Sequence, residues 1–163
     1  MRLRLERVSS SNAMVFKDVR LRALREDPTA FGSTYAQESQ LTDAEWIELA
    51  VRRAAKGSMV WLALADGPCG IVGVFLESVT HARLVSMWVA KDARGQGIGK
   101  ALVDAVIAWA REERAHTVVL TVTSNNDTAM RFYEGLGFGR TGRTEPYPND
   151  PALCEYEMEL GLQ

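Results

Sequence analysis

The segment that most constrains this chain is a β-like run, Val85-Ser86-Met87-Trp88-Val89, which leads within a few residues into Arg94-Gly95-Gln96-Gly97-Ile98-Gly99-Lys100 and then into a helical pattern. Glycines without Cβ let a ligand approach the backbone closely. The free N–H groups of the new helix point outward, and the helix dipole makes that end positive. A strand, three alternate glycines and a helix therefore read as a phosphate cradle. Arg94 and Lys100 would add mobile positive charge. The helix runs from Ile98 to Arg114 with Ile98, Leu102, Ala105, Val106, Trp109 and Ala110 inward. The β-branched stretch Thr117–Thr123 follows as a buried strand. A strand–helix–strand unit of this kind gives parallel strands with the helix on one face.

Two common phosphate loops do not fit. A Walker loop ends G-K-[ST], but here Ala101 follows Lys100 and position 94 is Arg. The dinucleotide fingerprint needs a third glycine where Lys100 stands. A nucleotide-phosphate enzyme using the loop in another way remains a rival.

Elsewhere, residues 2–8 alternate weakly, and Ser11 is placed to cap a helix over about 12–26, ended by Asp27-Pro28. Thr42-Asp43-Ala44-Glu45 is a capping box before Trp46, Leu49 and Ala50. Met59–Ala65 and Ile71–Ser78 read as strands joined by the turn Asp66-Gly67-Pro68, with a further strand over Arg83–Ala90. Asn126–Glu134 reads as a short helix stopped by Gly135 and Gly137. At the end, Cys154, Tyr156, Met158 and Leu160 alternate with Glu155, Glu157 and Glu159, which suggests one buried face and one wet face. The sum is an α/β chain with a mixed, mostly antiparallel sheet and about four helices.

Composition narrows the partners. A chain of 163 residues suits one domain over residues 1–163. The net charge of -2 lacks the basic excess of a nucleic-acid binder. The longest apolar run, Met59 to Ala65, is far short of the ~20 residues that cross a membrane. The N-terminal residues carry no apolar signal core, so a cytoplasmic location is expected. Cys69 and Cys154, with no C-x-x-C or Cys/His cluster, suggest inert thiols and no metal site.

The pattern Arg94-x-x-Gly97-x-Gly99 resembles the acetyl-coenzyme A loop of the GNAT superfamily of N-acetyltransferases. Asn126-x-x-Ala129-x-x-Phe132-Tyr133-x-x-x-Gly137-Phe138 is similar to that family's other signature, at the usual distance beyond the loop. The two motifs occur in order, separated by a helix and a strand. The residue-level likeness covers roughly 85–138. Asp27-Pro28-Thr29-Ala30-Phe31-Gly32 and Tyr147-Pro148-Asn149-Asp150-Pro151 also look like parts of one subgroup.

The resemblance implies a GNAT fold and transfer of an acetyl group from acetyl-coenzyme A, as cosubstrate and without a metal, to a primary amine. It implies that the main chain of Met87, Trp88 and Val89 borders the pantetheine arm, with the Met87 N–H on the thioester carbonyl. It places the pyrophosphate on residues 95–100, including Gln96. Asn126, Ala129 and Phe132 would contact the cofactor, and Tyr133 would protonate the leaving thiolate. The acceptor, a small-molecule or peptide amine, would enter between residues 27–38 and 143–151. There Phe31, Tyr35, Glu38, Tyr147 and Asp150 suggest an aromatic-walled site for a cationic or amino group. Family members are often dimers, so a homodimer is the assembly implied. A non-catalytic acyl-coenzyme A sensor on the same fold is the first rival.

One departure stands out. Many family members carry a glutamate base near the start of the loop-entering strand, and that slot holds Arg83 here. Glu38, Glu77, Glu145 and Asp150 are the replacements the sequence offers.

Overall fold

The computed structural model describes residues 2–28 and 31–163, so Thr29 and Ala30 of the first acceptor loop lie outside the described residues. Among these residues the strands are β1 (Arg4–Arg7), β2 (Ser58–Ala65), β3 (Gly67–Leu76), β4 (His81–Val89), β5 (Thr117–Thr123), β6 (Gly139–Pro146) and β7 (Cys154–Gly161). The helices are α1 (Ala13–Glu26), α2 (Tyr35–Glu38), α3 (Asp43–Arg53), α4 (Ile98–Glu112) and α5 (Asp127–Gly135). One sheet of seven strands has the order β1-β2-β3-β4-β5-β7-β6, and only β4–β5 is parallel. The expected mixed α/β architecture is therefore present.

The centre of the sheet is covered on both faces. Residues Cys69–Val74 of β3 are buried one after another, a pattern that a strand with one wet face cannot show. One helical layer is α1 with α3, locked by an edge-to-face contact of Phe16 on Trp46 at 5.6 Å. The other is α4, whose Leu102 sits where Gly70 of β3 leaves room: a Cβ there would lie 3.3 Å from the leucine. The capping box forms at α3, with Thr42 Oγ1 accepting from the Glu45 N–H at 3.1 Å and the Glu45 carboxylate accepting from the Thr42 N–H at 3.0 Å.

Several elements differ from the sequence reading. Ser11 caps nothing. Ser9 instead caps a 3-10 turn at Ser10–Asn12, because the Asn12 side chain returns a bond to the Ser9 N–H at 2.7 Å, and α1 follows directly. The short helix α2 and the edge strand β6 were not expected. β6 is polar and mostly exposed, without alternation, and β7 holds it by pairing. In β7 only Met158 is buried, and Glu155 and Glu157 are half-buried rather than wet. The reason is β6: its Thr141 hydroxyl donates to Glu157 at 3.0 Å, while Arg83 approaches the same carboxylate at 3.5 Å.

Two irregularities position the site. β4 and β5 pair only through His81–Thr117, Ala82–Val118 and Arg83–Val119, and then separate although both strands continue. Opposite, the β3–β4 register slips between Ile71 and Gly73, so Ser86 and Met87 together face the place of one residue. Ser86 adopts φ 55°, uncommon for a residue with a Cβ. Arg20 of α1 donates to its hydroxyl at 2.8 Å. That arginine is buried and forms a two-point ion pair with buried Glu38, at 2.8 and 2.6 Å. Its guanidinium also lies over the Phe31 ring at 4.6 Å.

Candidate active site

The opening between β4 and β5 is the floor of a cavity of about 1310 Å³. One wall is the turn before α4. Gly95 and Gly97 have φ 79° and 82°, so both need glycine's conformational freedom. A Cβ at either position would meet nothing within 4 Å, which leaves the approach to their backbone open. Gly97 is the residue before the first turn of α4 and supplies no side-chain cap. The first N–H groups of a 15-residue helix therefore face the cavity with the positive end of its dipole. Gly99 serves a different purpose: a Cβ there would press on Phe132 at 3.1 Å, so it sets the approach of α5 to α4.

The strand edge is equally specific. Ala90 donates to the Cys69 carbonyl at 2.8 Å, on the β3 side. Alternation along β4 then turns the N–H and C=O of Met87 and Val89 toward the opening. The Val89 carbonyl accepts from Arg94 Nε at 2.9 Å. Arg94 also meets Asp27 at 3.0 Å, and the same carboxylate oxygen accepts from Trp88 Nε1 at 2.7 Å. Lys100 pairs with Asp104 at 2.8 Å. The expected mobile charges at positions 94 and 100 are thus already paired, though both pairs are exposed enough to exchange partners at little cost.

On the opposite side, Asn126 caps α5 by accepting from the Ala129 N–H at 3.1 Å, and both residues line the cavity with Phe132. Tyr133 is buried between Phe132 and Phe138, at ring separations of 5.1 and 5.7 Å. Burial alone pushes its phenol well above the ordinary 10.0, so the hydroxyl stays protonated across neutral and mildly alkaline pH.

Of the cofactor residues named from sequence, Met87, Trp88, Val89, Arg94, Gly95, Gly97, Ile98, Gly99, Lys100, Asn126, Ala129, Phe132 and Tyr133 line this one cavity, and the exposed Gln96 does not. Of the acceptor residues, Phe31 and Tyr147 line it and join the two loops: the Tyr147 hydroxyl donates to the Phe31 carbonyl at 3.0 Å. Tyr35 does not line it and instead lies beneath Arg25 at 5.5 Å. Glu38 is outside the lining, spent on Arg20. Burial opposes its ionised form, but the hydrogen bonds and charge of Arg20 outweigh that and hold its carboxyl below the usual 4.5.

The other base candidates are likewise occupied or displaced. Glu77 is bound by Arg83 at 2.6 Å, Asp150 accepts from the Ala152 N–H at 3.0 Å, and Glu145 lines a separate hollow with Glu77 and Glu157. Sequence reasoning missed Glu155, which lines both that hollow and the main cavity and accepts from the Thr121 hydroxyl at 2.9 Å. Alternation had assigned it to a wet face. It also missed the pairing of Arg20 with Glu38 and Ser86 and of Asp27 with Trp88 and Arg94, which depend on contacts distant in the chain. Among the described residues no group of three or more His, Cys, Asp or Glu is arranged to hold a metal, and no helix is long and apolar enough to cross a membrane.

A parallel strand pair opened beside an uncapped helix N-terminus is an arrangement suited to a phosphate-bearing ligand. Residues 21–138 match the profile of the Acetyltransferase (GNAT) family, and the chain belongs to that family. It is 38% identical over 95 residues to an N-acetylaspartate synthetase of Danio rerio, covering 56% of this chain and 33% of the relative. It is 35% identical over 94 residues to human N-acetyltransferase 8B, covering 54% and 41%. The chain thus spans well under half the length of these relatives. The fold matches a GNAT acetyltransferase from Streptococcus pneumoniae at TM-score 0.81 and 20% identity, over 99% of this chain and 100% of that one. It also matches yncA of Salmonella typhimurium, solved with its cofactor acetyl-CoA, at TM-score 0.80 and 17% identity, over 100% and 95%.

Proposed function

We propose that this protein transfers an acetyl group from acetyl-coenzyme A directly to a primary amine. The observation that carries the reading is the shared cavity: the opened β4 edge, the uncapped α4 turn and the buried Tyr133 hydroxyl all border it. Acetyl-coenzyme A supplies the acyl group already activated as a thioester. The N–H groups at Gly97–Lys100 hold the pyrophosphate, and the absent Cβ atoms at 95 and 97 leave room for it. The Met87 N–H donates to the thioester carbonyl oxygen, where negative charge grows as the amine attacks. Tyr133 gives its proton to the departing thiolate as the carbon–sulfur bond breaks. Burial weakens the phenol as an acid, but the same dry surroundings make the thiolate a stronger base. Glu155 takes the proton that the amine loses on forming the amide. Holding amine and thioester together supplies the rest of the rate. Unpaired thiols at Cys69 and Cys154 suit a cytoplasmic setting.

Two outcomes test these assignments. Gly97→Ala is expected to weaken coenzyme A at least tenfold in calorimetry, because a side chain at φ 82° forces the turn to relax. The fold should survive with a melting point lower by only a few degrees. Unchanged affinity in a folded variant would move the pyrophosphate elsewhere. Glu155→Gln is expected to lower kcat/KM for the amine about 10²-fold at neutral pH, with recovery as pH rises and the free amine becomes abundant. A variant within twofold of wild type across the pH range would remove Glu155 from the reaction.

A further inference from the structure

The cavity extends beyond the reacting centre. From Val89 back to Leu84, β4 spans about 17 Å. At that far end Leu84 pairs with Val74 of β3, and the next residue, Phe75, pairs with Ser58 of β2; all four line the cavity. Of the charged groups lining the cavity, Asp27, Arg94 and Lys100 belong to the side of the α4 turn and Glu155 to β7, which leaves Arg20, Arg53 and Lys56. Each of the three guanidinium nitrogens of Arg20 already donates, two to Glu38 and one to Ser86. Lys56 is exposed. Arg53, the last residue of α3, is half-buried and has no ion-pair partner among the described residues. Burial, and then the charge of Arg20, hold its guanidinium below the ordinary arginine range. A partly buried cation near a second cation, with the nearby carboxylate already taken, is an unfavourable arrangement. An anion would relieve it.

We propose that Arg53 seats a carboxylate of the acceptor, so that the substrate is a small amine that also carries a carboxylate. This rests on the acetyltransferase reading above and names its substrate class. The planar guanidinium fork matches a carboxylate with two parallel bonds. The cationic acceptor expected from sequence rested on Phe31, Tyr35, Glu38, Tyr147 and Asp150; Phe31 and Tyr147 line the cavity, but the two carboxylates do not. A polyamine would meet Arg53 and Lys56 with like charge. The acceptor's amine would then point back along β4 to the thioester, between the Phe31 and Tyr147 walls.

The test compares free L-amino acids and β-alanine with the matching amides and with spermidine, reading thiol release from acetyl-coenzyme A. Coenzyme A affinity is measured first by calorimetry on wild type, Arg53→Gln and Arg53→Lys. The expected result is at least tenfold higher kcat/KM for the free acid than for its amide. Arg53→Gln should erase that preference through KM with coenzyme A affinity unchanged, and Arg53→Lys should restore part of it. Equal or better turnover of the amides or spermidine, or a preference that survives Arg53→Gln, overturns the proposal and leaves acetyl transfer standing. Weakened coenzyme A binding in Arg53→Gln also overturns it, because Arg53 would then serve the cofactor. If coenzyme A does not bind, or no amine in the set is acetylated, the acetyltransferase reading fails and this inference falls with it.

Discussion

Tyr133→Phe is expected to slow the chemical step at least tenfold while coenzyme A affinity stays within twofold. General acid assistance typically contributes ~10²–10⁴-fold, and water rescues part of it. The variant keeps the ring against Phe132 and Phe138, so packing is preserved. Burial is the one cause that shifts this phenol, with no charged or hydrogen-bonding neighbour contributing. Stability should therefore hardly change, since the lost hydroxyl gives up no strong partner. Because the phenol ionises above 10.0, the wild-type rate should not fall through loss of its proton below that pH. Single-turnover rates at saturating acetyl-coenzyme A separate the step from product release. A chemical step within twofold of wild type would make Tyr133 a core residue and nothing more.

Arg20→Met is expected to carry the largest stability loss. It leaves Glu38 buried with no cation in contact and releases the hydroxyl of Ser86 at the β4 bulge. Breaking a buried pair from one side costs about 3–5 kcal/mol, which for a chain of this size lowers the melting point by roughly 6–20 °C. Replacing both partners, Arg20→Met with Glu38→Leu, should recover most of that. The pH dependence has a definite sign. In the wild type the folded carboxyl lies below 4.5, so its contribution is present above that pH and is lost as pH falls toward the folded value. In Arg20→Met, burial still raises the carboxyl while only the Ser33 hydrogen bond and the charge of Arg53 still lower it, so its folded value lies above that of the wild type and the gap between variant and wild type should narrow in acid. Urea unfolding at neutral pH and near pH 4 measures both. A constant gap, or a loss under 1 kcal/mol, would show that the pair does not hold this region.

The parts of the site that were legible in the sequence are those whose geometry is local. Glycines at positions 95 and 97 announce positive φ, Asn126 announces a cap, and the strand–helix–strand order fixes a parallel pair. Residues whose roles depend on distant contacts were misread for the same physical reason. Glu38 looked like an acceptor group because nothing local reveals Arg20, 18 residues earlier in the chain. Glu155 looked wet because alternation reports a face but not that β6 and Thr121 enclose it. The slip that leaves Ser86 at φ 55° is imposed by pairing with β3, not by serine's own preference. β6 carries no pattern at all, since an exposed edge strand is held by its neighbour's ladder.

The most direct measurement is thiol release from acetyl-coenzyme A by the purified chain, with and without primary amines, and with the product identified by mass spectrometry. The account predicts that release depends on the amine and matches the N-acetylated product one for one, and that Tyr133→Phe lowers it with coenzyme A still bound. Tight coenzyme A binding with release no faster than hydrolysis for every amine would contradict it and mark the protein as a non-catalytic acyl-coenzyme A binder.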